Sequence, residues 1–166
     1  MNRSAGDIQI VRATERDASL VLLFIRELAE YERLAHEVVA TEERLRDTLF
    51  GAHPAAEVVI AYDGDRPAGF ALYFANYSTF LARPGLYLED LFVRPEARGR
   101  GIGRRLLSYL AGVVVQREWG RLEWRVLDWN ETALQFYQRL GARPLDDWTV
   151  YRLTGTALRQ LAETVP

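Results

Sequence analysis

The order of apolar and polar positions divides the chain into short periodic segments. Residues 7–12, from Asp7 to Arg12, alternate and are rich in β-branched side chains, which predicts a first strand. Thr14 offers an N-cap, Glu15 and Asp17 place acid in a first turn, and Leu20, Leu23, Phe24 and Leu28 recur at helical spacing. A helix to about Arg33 is therefore expected, and a second short one after Thr41 that ends near Gly51. Glu57 to Tyr62 is an apolar run of strand length, Asp63-Gly64-Asp65-Arg66-Pro67 is a turn, and Ala68 to Phe74 returns, so these residues predict a hairpin.

Ser78 to Gly85 reads as a loop, and Leu86 to Val93 as a strand closed by Pro95. Ile102 to about Glu118 carries Leu106, Leu110 and Val113 on one helical face. Leu122 to Leu127 is a further strand. Asn130 caps a helix that stops at Gly141, where a left-handed residue is needed. Thr149 to Leu153 predicts a last strand, with a short helix after it. The order implies an α/β protein with one mixed central sheet flanked by helices, antiparallel at its start and with a later crossover. One domain over residues 1–166 is expected, without repeats or an internal linker.

Composition narrows the function classes. The formal net charge is −2, against a nucleic-acid binder, which usually carries a strongly basic face. No cysteine is present, which excludes a disulfide framework, a thiolate zinc site and a thiol nucleophile. This fits a reducing cytoplasm, the expected compartment. No run approaches a membrane span, and the start of the chain does not read as a signal peptide, so no membrane partner is expected. His36 and His53 lack partners for a triad or a metal site and read as structural or solvated, so no metal is expected. Every basic side chain is an arginine, which reads as genome composition.

The most informative residues are Arg98-Gly99-Arg100-Gly101-Ile102-Gly103, between a strand and a helix. Glycines let main-chain N–H groups turn inward, and the helix offers its positive end, so the segment suits a pyrophosphate. Arg94, Arg98, Arg100, Arg104 and Arg105 add charge around it. A Walker loop would need a lysine, and a dinucleotide fingerprint would need glycine where Leu106 stands. The other reading is a surface turn with solvated arginines.

Arg98-x-x-Gly101-x-Gly103, after a strand ending Leu91-Phe92-Val93 and before an amphipathic helix, resembles the acetyl-CoA motif of the GNAT superfamily of N-acetyltransferases. The element order resembles that fold from end to end. The resemblance implies acetyl-CoA as cosubstrate, held by Arg98 to Arg104 and by the Leu91-Phe92-Val93 strand, with the Leu91 and Val93 backbone pairing its pantetheine arm. Asn130-Glu131…Phe136-Tyr137…Gly141-Ala142 resembles the second GNAT motif, whose tyrosine stands where Tyr137 does. Asn130 and Tyr137 lie seven apart and share a helix face. Asn130 reads equally as a helix cap or a cofactor contact. Tyr137 reads as core packing or, on the resemblance, as the general acid that protonates the leaving thiolate.

Glu27-Leu28-Ala29-Glu30-Tyr31-Glu32, Tyr87-Leu88-Glu89-Asp90-Leu91-Phe92-Val93 and Asp128-Trp129-Asn130-Glu131 resemble the diamine (spermidine/spermine-type) acetyltransferase branch. There the residues matching Tyr31, Glu32 and Glu89 face the amine, so a small cationic amine is the implied substrate; Glu32 reads equally as a solvated helix residue and Tyr31 as a packing aromatic. Glu89 is the expected base, acting through water. Asp90 should point away from Glu89 on a regular strand, and both reach one cleft only if the strand is bulged or splayed. The loop from Asn76 to Gly85 has no acid and carries Arg83, unlike the polyamine enzymes and more like the thialysine and diamino-acid relatives. Arg83 is a candidate partner for a substrate carboxylate. Asp146 and Asp147 read as an exposed turn or as further negative charge. The branch implies a homodimer. A peptide N-acetyltransferase and a non-catalytic acyl-CoA-binding module are the competing readings.

Overall fold

The computed structural model describes residues 7–164. The sheet has five strands: β1 (Ile8–Arg12), β2 (Glu57–Asp63), β3 (Arg66–Ser78), β4 (Arg83–Val93) and β5 (Leu122–Trp124). They lie side by side in sequence order, antiparallel through β4, and β5 joins β4 parallel. Helices α1 (Ala18–Tyr31) and α2 (Glu42–Phe50) come between β1 and β2, and α3 (Ile102–Gln116) makes the crossover from β4 to β5. Helices α4 (Glu131–Arg139) and α5 (Gly155–Glu163) follow. The chain divides into two compact units at Arg125/Val126.

Local chemistry sets the helix starts. The Asp17 carboxylate accepts from the Thr14 N–H at 2.8 Å and from its hydroxyl at 2.9 Å, and α1 begins at the next residue, one turn later than Thr14 alone suggests. Thr41 Oγ1 accepts from the Arg44 N–H at 3.2 Å and opens α2. Strand β2 is buried from Val58 to Ala61 without alternation, because both faces of the sheet are covered. On one face Val21, Phe24 and Leu28 of α1 pack with Leu49, Val58, Ile60, Phe70 and Phe92. Phe24 and Phe70 stack at 5.3 Å. Helix α3 buries Ile102, Leu106 and Leu110 and contacts all five strands on the other face.

Three expectations are corrected. Residues 78–85 are a hairpin end rather than a loop: β3 runs to Ser78, β4 starts at Arg83, and Asn76 pairs with Gly85. This stretch lacks strand-like alternation, and cross-strand backbone pairing extends the strands into it. The fifth strand spans Leu122–Trp124 rather than reaching Leu127, because pairing with β4 stops at Leu88↔Trp124. Thr149 to Leu153 makes no strand, and Val150 and Tyr151 are 66% and 92% exposed. Alternation marks backbone able to pair, but a strand exists only where a neighbouring edge accepts it.

Candidate active site

The site begins where β4 and β5 part. Leu88 is the last residue of β4 paired with β5, so Glu89 to Val93 form a free edge on that side. On the other side the Arg94 N–H donates to the Ala68 carbonyl at 2.9 Å, continuing the β3–β4 ladder. Alternation then turns the main chains of Phe92 and Asp90 toward β3 and those of Leu91 and Val93 toward the free edge. The Leu91 and Val93 main chains thus face the edge that β5 leaves unpaired. Phe92 differs: its main chain belongs to β3, and its side chain is buried in the core.

A bulge brings the acids together. Register shifts between Leu72↔Asp90 and Tyr73↔Leu88, which leaves Glu89 as the extra residue. The shift reverses the side-chain phase. Leu88 lies opposite Tyr73, on the face toward Tyr109 of α3 and Arg117, its C-cap. Asp90 lies opposite Leu72, on the α1 face that Phe70 and Phe92 share. The condition that sequence alternation imposed on Glu89 and Asp90 is therefore met.

Burial, then the neighbouring charges of Glu89 and Glu32, push the Asp90 carboxyl up to about 6. Burial also raises the Glu32 carboxyl. Glu32 caps the C-terminus of α1, directly after Tyr31, where a carboxylate meets the negative end of the helix dipole. The next residue, Arg33, has φ of 61°, unfavourable for a side-chain-bearing residue. The left-handed turn closes α1, with the Leu34 N–H donating to the Ala29 carbonyl at 2.7 Å.

The glycine segment turns sharply before α3. Gly99 and Gly101 take φ of 74° and 81°, Gly101 precedes the first turn of α3, and no acid stands in that turn. An ideal Cβ at either glycine meets nothing within 4 Å, so the concave side is open. The donor set suits a pyrophosphate. Ile102 is buried, so its side chain packs while its main chain belongs to the cradle. Gly103 lies in the first turn of α3 and Arg104 is exposed beside it.

The arginines divide by partner. Arg94 forks onto Glu27 at 2.8 and 2.9 Å and donates to the Pro67 carbonyl, fastening α1 to β4. Arg100 is held by Asp63 at the β2–β3 turn, and Arg105 donates to the Ile8 carbonyl at 3.1 Å. Their guanidinium groups are committed to the fold, which sequence reading could not foresee. Arg98 instead lies along the free edge: its Nε donates to the Val93 carbonyl at 2.9 Å, and its guanidinium sits 4.4 Å over the Tyr31 ring.

Arg83 is the first residue of β4, six positions before Glu89, so strand rise places it ~20 Å away. It does not join the acids. Arg125, which the sequence reading did not single out, does: its Nη2 lies 3.3 Å from Glu89 Oε1. A lone arginine after a short strand carries no periodic signal. The parallel register Leu88↔Trp124 is what would have found it.

In the second unit, Asn130 Oδ1 accepts from the Ala133 N–H at 3.2 Å and caps α4. Gly141 ends that helix with φ of 86°. Tyr137 is partly buried, its ring 5.3 Å from that of Phe136. Asp146 and Asp147 are both exposed.

Comparison with known proteins agrees with this architecture. Residues 24–142 match the acetyltransferase (GNAT) family. The chain is 40% identical to bovine thialysine N-epsilon-acetyltransferase, over 93% of this chain and 97% of that protein. It is 33% identical to L-ornithine N5-acetyltransferase of Arabidopsis thaliana, over 90% and 85%. An integron cassette protein from the mobile metagenome of V. cholerae superposes with a TM-score of 0.79 at 31% identity, over 95% and 98%. A glycine cradle before α3, a free β4 edge beside it and this kinship lead to one conclusion: the chain belongs to the GNAT family and is an acetyltransferase.

Proposed function

We propose that the protein transfers acetyl from acetyl-CoA to a primary amine of a small cationic metabolite, a diamine or a diamino acid. The observation that carries this reading is the fork between β4 and β5, where Glu89 and Asp90 stand beside Glu32 next to a free strand edge. Carboxylates in one recess attract an ammonium and fix its position. Curated relatives named for thialysine and ornithine acetylation support the substrate class.

Acetyl-CoA supplies the thioester acyl group and a pyrophosphate to anchor it. The cradle from Arg98 to Arg104 holds the pyrophosphate through N–H groups and the α3 terminus. Arg98 exchanges the Val93 carbonyl for phosphate oxygen, and Leu91 and Val93 then offer their main chains to the pantetheine arm. Tyr31, Glu32 and Asp90 orient the ammonium. Glu89 receives a proton from the amine through water. The nitrogen then bonds the acyl carbon, the carbon–sulfur bond breaks, and Tyr137 protonates the departing thiolate. With no cysteine in the chain, no acyl-enzyme forms through a thiol; acetyl passes directly between adjacent reactants, and proximity supplies much of the acceleration. Following the branch, the assembly is a homodimer in the cytoplasm, which sedimentation and fractionation test.

The assay is CoA release from acetyl-CoA against ornithine, lysine, thialysine, putrescine, spermidine and a lysine-containing peptide. Turnover of a free small amine is expected. Acetylation of the peptide alone, or CoA binding without turnover of anything, would overturn the reading.

A further inference from the structure

The fork that holds the acids also holds a cation, and its position follows from register. Leu88 pairs with Trp124, so Glu89 and Arg125 are the first residues past the pairing on each arm. Arg125 lies 3.3 Å from Glu89, with its guanidinium 5.9 Å from the Tyr87 ring. Its charge also acts on Asp90, against the effect of Glu89 and Glu32.

We propose that Arg125 receives the carboxylate of a diamino acid whose distal amine is acetylated, and so selects diamino acids over diamines of equal length. This rests on the acetyl-transfer reading above and sharpens its substrate class.

Three features support it. First, the charge pattern of Glu32, Glu89 and Asp90 with Arg125 is three negative and one positive. A diamino acid presents two ammonium groups and one carboxylate, which matches both signs. A diamine or polyamine has nothing to offer Arg125 and must lie beside a like charge. Second, Arg125 has donors to spare. It contacts Glu89 at 3.3 Å and hydrogen-bonds the Tyr87 hydroxyl, whereas Arg94, Arg117 and Arg121 hold their carboxylates at 2.7–2.8 Å. A guanidinium has five donors in a planar fork suited to a carboxylate, so Arg125 keeps capacity for a further partner. Its side chain is 46% exposed and open to exchange. Third, exchange has a consequence. A substrate carboxylate that takes over Arg125 releases Glu89 to accept the proton that the reacting amine must lose, which links recognition of one end of the substrate to chemistry at the other.

The test uses substrates that differ only at the carboxylate: lysine against cadaverine, ornithine against putrescine, and lysine against its α-amide, with wild type, Arg125→Gln and Arg125→Lys. Wild type is expected to prefer the carboxylate-bearing member of each pair. Arg125→Gln is expected to lower kcat/KM for lysine and ornithine by about tenfold, through KM, while cadaverine and putrescine hold or improve. Arg125→Lys restores part of the loss, which a folding defect would not explain. An equal fall on both members of every pair would assign Arg125 to tuning Glu89 or to stability and overturn the proposal. A wild-type preference for the diamines would overturn it as well. Silence of wild type on every amine would instead remove the acetyl-transfer reading, and this inference with it.

Discussion

Asp90 lies within electrostatic reach of Glu89 and Glu32, and burial, then those charges, pushes its carboxyl up to about 6 from an ordinary 3.8. Between these values the folded protein holds a proton that the unfolded chain has released. Stability therefore falls as pH rises through that window, and the cost is complete above it. Asp90→Asn removes the cost. It should stabilise the protein by roughly 3 kcal/mol at about pH 8, with the gain gone below about pH 4, as urea unfolding at both pH values would report. In the proposed role the same group would hold an ammonium only when charged, so the amine KM of wild type should rise as pH falls through about 6. A flat KM across that range would detach Asp90 from the substrate. Tyr137 carries a separate expectation: Tyr137→Phe should lower kcat far more than it weakens acetyl-CoA binding, and equal losses would count against an acid role.

At the scale of elements, the cradle depends on backbone that glycine permits. Gly101 holds φ of 81° directly before α3. Gly101→Ala forces a side chain into the left-handed region, at a cost of about 1 kcal/mol, and relaxation of that strain turns N–H groups away from the pyrophosphate. The expected result is slightly lower stability with a clear loss of CoA affinity by calorimetry; unchanged affinity would remove the cradle assignment. The elements also show what the sequence could convey. Thr41, Asn130 and Gly141 announced helix ends because capping is local chemistry between residues three or four apart. The Asp63–Pro67 turn was legible for the same reason. The β3–β4 extension past Phe74 was not, since residues there are held by cross-strand pairing rather than by an apolar pattern. The bulge at Glu89 could be framed only as a condition, because it is a property of two strands together. Arg125 escaped notice because only the parallel register with β4 brings it to Glu89, and Thr149–Leu153 misled because alternation does not provide a partner.

At the scale of the molecule, a chain of formal net charge −2 concentrates carboxylates at the point where its sheet divides. The antiparallel sheet supplies a rigid β4, the crossover through α3 places a helix terminus at the end of that strand, and the parting of β5 leaves main-chain groups free beside the acids. Among the described residues no helix is long and apolar enough to cross a membrane. In the proposed reaction both reactants occupy this region together, and acetyl passes between them without an intermediate on the protein. Initial rates with acetyl-CoA and the preferred amine both varied test it most directly. Direct transfer predicts double-reciprocal lines that intersect; parallel lines, the mark of an acyl-enzyme, would contradict it.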